Sequence, residues 1–523
     1  MSLVVWSWIF LVIYIGGMIG FGVIASRKIQ DADDFATARR GYGPIFLALA
    51  FSATTASGAT FLGFPGMTYE AGLAGLWGLV YPAGVYTGVL LSMRMISTAG
   101  HRWKSRSMPE FLGSRYQSDG MRVLVALASL LLFFYLAGQL LSGLVMFEIM
   151  LGLPAFWALT ITSLVLLIYV TMGGAHADIL TDGVQGLVMI VIGLIVVIIF
   201  FTGAGIDGGF DAMVNRLEQL DPNLVDVFNS THPWFHSWWS AAAQFIACIP
   251  IGFLPHIGNK LWALKEDRQR NQFVVFAATF AFTLAMLGLG GVVARAVLGD
   301  ALLEQGQNTN QALPALFLNL FPTWLAALTG VGILAAVMST ADGLVVSSAQ
   351  ILSNDLYRRT FAPRYRAHLS EQELDRRVMS LSRWATAGVL IACTLMAWLF
   401  MDRNVALLIW TGNGGLMAAF AGPLVLGCLW KGVTRAGAYA GLLTGLVSFI
   451  VLHMALIESI WFEDTILYTA AVWLEGEAPN PMSCASLAEL LSVLATWLVS
   501  LFTRPLPESH LTELFPPRKY NPQ

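Results

Sequence analysis

Ala53-Thr54-Thr55-Ala56-Ser57-Gly58-Ala59-Thr60, with Gly63-Phe64-Pro65-Gly66 close behind it, decides how this chain folds. Small, hydroxylated and helix-breaking residues are crowded here into an apolar run near 43–66 that is long enough to cross a bilayer. Lipid cannot satisfy the N–H and C=O groups that an interrupted helix releases, so such backbone must be buried in protein or line a wet cavity. An interrupted span is therefore a candidate site. A second one, Cys248-Ile249-Pro250-Ile251-Gly252-Phe253-Leu254-Pro255-His256, falls in the apolar run near 236–262.

The surroundings are membrane-like throughout. The 523 residues are 57% hydrophobic and 12% charged, where an ordinary soluble domain carries about one quarter charged residues. Windows of about 19 residues place spans near 3–25, 43–66, 71–96, 121–149, 155–174, 183–203, 236–262, 272–296, 320–350, 383–401, 404–429, 435–456 and 484–503. The fold class is all-α: a polytopic membrane protein of about 13 transmembrane helices, one domain over 1–503 with a short cytoplasmic tail at 504–523. The first run starts at residue 3 without a basic leader or a small-residue cleavage site, which argues for a retained span over a removed signal peptide.

Charge gives the orientation. Alternate connections are basic, holding Arg27, Lys28, Arg39 and Arg40, then Arg102, Lys104 and Arg106, then Lys265, Arg268 and Arg270, then Arg358, Arg359, Arg364, Arg366, Arg376 and Arg377. Positive loops stay in the cytoplasm. The intervening connections are acid-rich, with Asp207, Asp211, Glu218, Asp221 and Asp226 in one and Glu458, Glu463, Asp464, Glu475 and Glu477 in another. The N-terminus is therefore expected outside and the C-terminus in the cytoplasm, in a bacterial inner membrane. A net charge of −3 offers no basic surface for nucleic acid. Cys248, Cys393 and Cys428 fall in apolar runs without metal-ligand spacing and read as small buried residues.

Both interrupted runs open a series of five spans, 43–203 and 236–429. Inverted-repeat transporters use such a pair, with freed carbonyls and half-helix ends holding ion and substrate at the midplane. The rival reading is that Gly and small residues serve helix packing. The ninth span adds Ala336-Val337-Met338-Ser339-Thr340-Ala341-Asp342. Adjacent hydroxyls in a membrane helix often bond back to carbonyls four residues earlier. Beside an interrupted partner they have a second use, because sodium is a hard cation and neutral carbonyls with hydroxyls can replace its water shell. Carbonyls of Ala53, Ala56 and Ala336 with the hydroxyls of Ser339 and Thr340 would form such a cage.

At these residues the chain resembles the sodium:solute symporter family, which includes proline, sugar, pantothenate and acetate carriers. The resemblance runs from the first span to about residue 450. It is carried by Gly173-Gly174 with Thr181-Asp182 and Gln185, by Ala336 to Thr340 with Ser347-Ser348 and Asp355-Leu356-Tyr357, and by Trp410 with Gly414, Gly415, Pro423 and Trp430-Lys431. It implies a leucine-transporter-like core of five plus five helices, alternating access driven by sodium, and a sodium site at Ala53, Ala56, Ala336, Ser339 and Thr340. It also matches Asp182 to an aspartate associated with sodium coupling; Asp182 with Gln185 reads equally as a helix-capping box. Where the proline-carrier branch has an aspartate, this chain has Thr55.

Sugar-carrier members place Gln and Glu where this chain has Thr60 and Leu79, which argues against a sugar. Leu254-Pro255-His256 and Gln139 look like the pantothenate and monocarboxylate carriers, and an imidazole at a helix break suits a carboxylate. Candidate wall residues are Thr55, Ser57, Thr60 and Gln139, with Gln244, His256, Thr411 and Asn413, sparse polar groups on apolar helices. The expected solute is a monocarboxylate or pantothenate-like organic anion; a neutral amino acid such as proline, or proton coupling through Asp182 or His256, are the alternatives. Glu148, Asp178, Arg295, Asp342 and Asp355 read as helix-end residues, and Trp234, Phe235, Trp238 and Trp239 as an interfacial aromatic belt. No repeated pore loop or arginine-studded helix suggests a channel, neither HExxH nor GxSxG suggests an enzyme, and nothing calls for an organic cofactor. A transporter-derived sensor is the remaining different class.

Overall fold

The structure, a computed structural model, describes residues 1–304, 308–366, 368–400 and 405–515. Among these the regular elements are helices, and one isolated parallel bridge joins Tyr42 to Leu264. Ten helices are long and apolar enough to cross a membrane, or eleven with Trp238–Phe253 and Pro255–Ala263 counted as one bent span. Two shorter apolar helices, Pro44–Thr55 and Ala155–Ile168, complete the thirteen expected positions. Met401, Asn404 and residues 516–523 of the expected tail lie outside the described residues.

Both interruptions are present. Pro44–Thr55 ends at Ala56 (φ −86°, ψ 87°), and the chain resumes through a wide turn at Ala59–Gly63 into Phe64–Ala71. In the second case Trp238–Ala247 stops, Leu254 turns extended (φ −56°, ψ 143°) ahead of Pro255, and the two halves meet at 54°. The ring of a proline crowds the residue before it out of the helical region, which is why the bend falls at Leu254.

Two boundaries differ from the sequence reading. The helices expected near 155–174 and 183–203 follow each other without a loop inside Ala155–Thr202: the break falls at Gly174 (φ 48°, ψ −138°), where the first was expected to end, and the second starts there instead of near 183. That backbone is open to glycine alone at little cost, and a Cβ there would meet the Phe35 carbonyl oxygen at 2.6 Å. The span expected from residue 71 begins later: Gly72–Val80 is a tight 3-10 stretch and the α-helix proper is Tyr81–Arg102.

Burial separates core from periphery. The most apolar window of Thr323–Tyr365 is 83% buried and that of Leu3–Ser26 only 22%, so the former is central and the latter faces lipid. Pro44–Thr55 packs against the second half of Ala155–Thr202, against Arg270–Ala285 and against Thr323–Gln350. Caps mark helix ends at the connections: Ser107 Oγ accepts the Glu110 N–H at 3.1 Å, and Ser370 with Glu373 closes a capping box. A chain of ion pairs runs through the basic connections, from Arg39 to Asp33 (2.7 Å), Asp33 to Arg106 (3.7 Å), Arg106 to Asp375 (3.5 Å), Asp375 to Arg358, and Arg358 to Glu371 (2.8 Å). The tail folds back on the same face: in Glu508–Leu514, His510 stacks on Trp103 (5.6 Å) and its Nε2 donates to the Arg115 carbonyl at 3.0 Å.

Candidate functional site

The carbonyls that close Pro44–Thr55 have no following turn to accept from, as at any helix end. One of them, Thr54, accepts from the hydroxyl of Thr340 at 3.0 Å, which ties the end of the broken helix to the middle of Thr323–Gln350. Ala336 stands one turn earlier on the same face. Ser339 is fully buried and its hydroxyl has no hydrogen-bond partner. An unmet polar group at this depth costs about 1–3 kcal/mol, and an oxygen-seeking cation would satisfy it. Ala53, Ala56, Ala336, Ser339 and Thr340 are all buried; the donor set, carbonyls and hydroxyls without a fixed anion, fits sodium.

Beside the two interruptions lies a cavity with about 60 Å³ of water-accessible space, walled mostly by apolar and aromatic side chains with a few polar groups, as small-molecule sites are. Thr55, Ser57, Thr60, Gln244, His256 and Asn413 of the candidate wall residues line it. Gln139 sits behind the wall, its Oε1 accepting the Gly58 N–H at 3.0 Å and so stoppering the first break. Gly58 is held to glycine there, since a Cβ would approach Ser142 Oγ at 2.7 Å. Thr411 is not among the lining residues; it lies against His453, with Oγ1 and Nε2 3.3 Å apart. Like Asn413 it is a polar group on an apolar helix, but two helical residues two apart face different sides.

Sequence reading missed part of the wall. Tyr81, Tyr135 and Trp410 line the cavity, and so do Trp234 and Phe235, which are not a lipid-facing belt. Trp234 is pinned by its Nε1, which donates to the Pro479 carbonyl at 3.2 Å, whereas Trp238 remains 69% exposed. The Tyr135 ring meets His256 edge-on at 5.3 Å. Both His256 nitrogens, the Tyr81 hydroxyl and Asn413 Oδ1 have no partner among the described residues. Among the described residues the lining contains no Lys, Arg, Asp or Glu.

Charge gathers just below. Lys260, 3% exposed, pairs with Asp178 (3.0 Å) and Asp182, and donates to Thr54 Oγ1 at 2.5 Å. Asp178, Asp182 and Asp342 bring carboxylate oxygens within 4.8 Å of one another. Asp178 and Asp342 are therefore not helix-end residues, as the sequence reading had them; both are buried inside the bundle. Asp182 does not cap a helix either, because it lies within Ala155–Thr202 and accepts from Thr54 Oγ1 at 2.5 Å. Gln185 instead donates to Tyr14 Oη at 2.5 Å. A charged residue inside a membrane span is the signal that would have found Lys260.

Comparison with known proteins gives a consistent picture. The model of the sodium:solute symporter family matches residues 35–445. The sodium/pantothenate symporter of Escherichia coli (strain K12) is 28% identical over 87% of this chain and 92% of its own length. The sodium/proline symporter of Salmonella typhimurium is 29% identical over 84% of this chain and 86% of its own. Among solved structures, a Na+-coupled sialic acid symporter in a substrate-bound outward-open state superposes with a TM-score of 0.73 at 19% identity, over 96% of this chain and 99% of that one. That likeness bears on the fold, and the expected all-helical, leucine-transporter-like architecture stands.

Proposed function

The chain belongs to the sodium:solute symporter family, and from that premise we propose that it imports a small organic anion, a monocarboxylate or pantothenate-like acid, by sodium-driven alternating access. The observation that carries the anion is the cavity itself. Its unpartnered groups include two that can donate, Tyr81 Oη and His256, while no carboxylate lines it to receive an ammonium. A sodium ion in the neighbouring cage of Ala53, Ala56, Ala336, Ser339 and Thr340 supplies the missing positive charge, so that ion and solute enter as a neutral pair, which is cheaper to desolvate than either charge alone. The apolar and aromatic wall takes the body of the solute.

Asp182 acts, on this reading, in coupling through Thr54, whose hydroxyl it accepts and whose carbonyl meets Thr340. The halves 43–203 and 236–429 would be the two moving repeats. The reading of the protein as an inner-membrane carrier with its N-terminus outside is supported by the basic connections and by the bacterial relatives. Uptake of radiolabelled pantothenate, short monocarboxylates and proline into proteoliposomes, with sodium and pH gradients imposed separately, tests solute and coupling ion together. Sodium-dependent uptake of an acid is expected. Uptake that follows the pH gradient and ignores sodium would overturn the coupling, and proline as the preferred solute would overturn the anion.

A further inference from the structure

Three buried carboxylates and one buried ammonium meet where the second interruption ends. Lys260 lies six residues after Leu254, in Asn259–Ala263, and reaches across to Asp178 and Asp182 of Ala155–Thr202 and to Thr54 of Pro44–Thr55. Asp342, from Thr323–Gln350, completes the group; its Oδ2 accepts from Thr181 at 3.1 Å and its Oδ1 from the Gly343 N–H at 2.8 Å. Asp178 Oδ1 and Asp182 Oδ1 accept no hydrogen bond, although both residues are at least 97% buried. Four helices thus converge on one positive charge. Carboxylates brought this close are costly to bury unless a cation lies among them. A separate small cavity, with about 10 Å³ of water-accessible space and lined by Asp178, Asn259, Lys260 and Ser347, opens onto the cluster and shares His256 with the solute cavity.

We infer that the cluster of Asp178, Asp182 and Asp342 is a second cation site, distinct from the cage at Ser339 and Thr340, and that its resident occupant is the protein's own Lys260 ammonium. A tethered cation cannot be released into the cell. The position that an alkali ion would fill is therefore closed to exchange, and the charge on it moves with the broken helix that carries Lys260. Thr54 links the two sites: its hydroxyl receives the ammonium and its carbonyl faces the candidate sodium hydroxyl of Thr340. The ammonium is a point charge on a flexible stem, and removing it would leave a pocket of carboxylate oxygens beside that small cavity that suits a hard monovalent cation.

The inference rests on the sodium-coupled reading above, and its test separates the two. Binding of 22Na+ to the purified full-length chain in detergent is counted per molecule for the wild type, for Lys260→Met, and for Lys260→Met with Asp178→Asn. The second variant relieves one uncompensated carboxylate and keeps the count measurable where the single variant fails to accumulate. The expected result is one more sodium ion per chain in each measurable variant than in the wild type. That gain supports the resident lysine whether the wild type binds one ion or none, and a wild type that binds none would by itself sink the cage at Ser339 and Thr340. Variants that bind the same number of ions as the wild type would overturn the inference and leave Lys260 as a structural ion pair.

Discussion

Ser339 and Thr340 are the residues where removing one hydroxyl each should be most informative. Replacing both with Ala deletes two candidate oxygen ligands while leaving the helix intact, and the loss of even one such contact, at about 1.4 kcal/mol, is tenfold in affinity. The sodium concentration for half-maximal uptake should rise by about tenfold or more; an unchanged sodium dependence would remove these hydroxyls from the cage. On the solute side, His256→Gln keeps a donor and His256→Leu does not. Half-maximal solute concentration should rise by about tenfold in the Leu variant and by clearly less in the Gln variant, measured by uptake at saturating sodium. Equal effects would mean that His256 serves packing against Tyr135. At this scale the sequence was informative about chemistry and poor about direction. Six of the eight wall candidates reach the cavity because polar groups on apolar helices have few other places to go, yet Thr411 turns toward His453. Lys260 itself was visible as a charge inside an apolar span, but its partners, 78 and 82 residues away in the chain, were not, because nothing local marks an ion pair made across helices.

Among the elements, the two interruptions were legible because Pro and Gly impose their geometry locally: Leu254 is extended because Pro255 follows it. The break at Gly174 was legible only as the expected end of a span; the φ of 48° and the nearby Phe35 carbonyl show why the chain turns at that residue. Gly174→Ala should therefore cost about 1–3 kcal/mol, read as a lower thermal unfolding midpoint of the detergent-solubilised protein. A midpoint equal to that of the wild type would show that the turn relaxes freely. The aromatic pair Trp234 and Phe235 was misassigned for the complementary reason. Aromatic residues at a span boundary suit an interface and a cavity wall equally well, and only the tertiary fold decides between them.

Across the whole molecule, the membrane architecture and the order of the spans follow from hydropathy and charge asymmetry, which act over lengths that a sequence displays directly. The ion pairs across the basic connections do not. Asp33, Arg106, Asp375 and Arg358 come from three different connections, and their chain of ion pairs holds those connections together on the basic face. Asp375→Asn breaks two links at once. Partly exposed pairs contribute about 0.2–1 kcal/mol each, so alkylation of a cysteine introduced at Thr37, in a chain lacking its four native cysteines, should speed up about two- to thirtyfold as that face opens more often. Labelling at the wild-type rate would show that the chain does not restrain opening.

The Trp234–Pro479 hydrogen bond stitches the wall of the solute cavity to a connection far along the polypeptide, and Pro479 itself is not among the lining residues. A binder raised against that distant connection, an antibody fragment for instance, would thereby hold a handle on the wall: it would slow the transport cycle without competing with the cargo, and inhibition that no excess of solute relieves would be its signature.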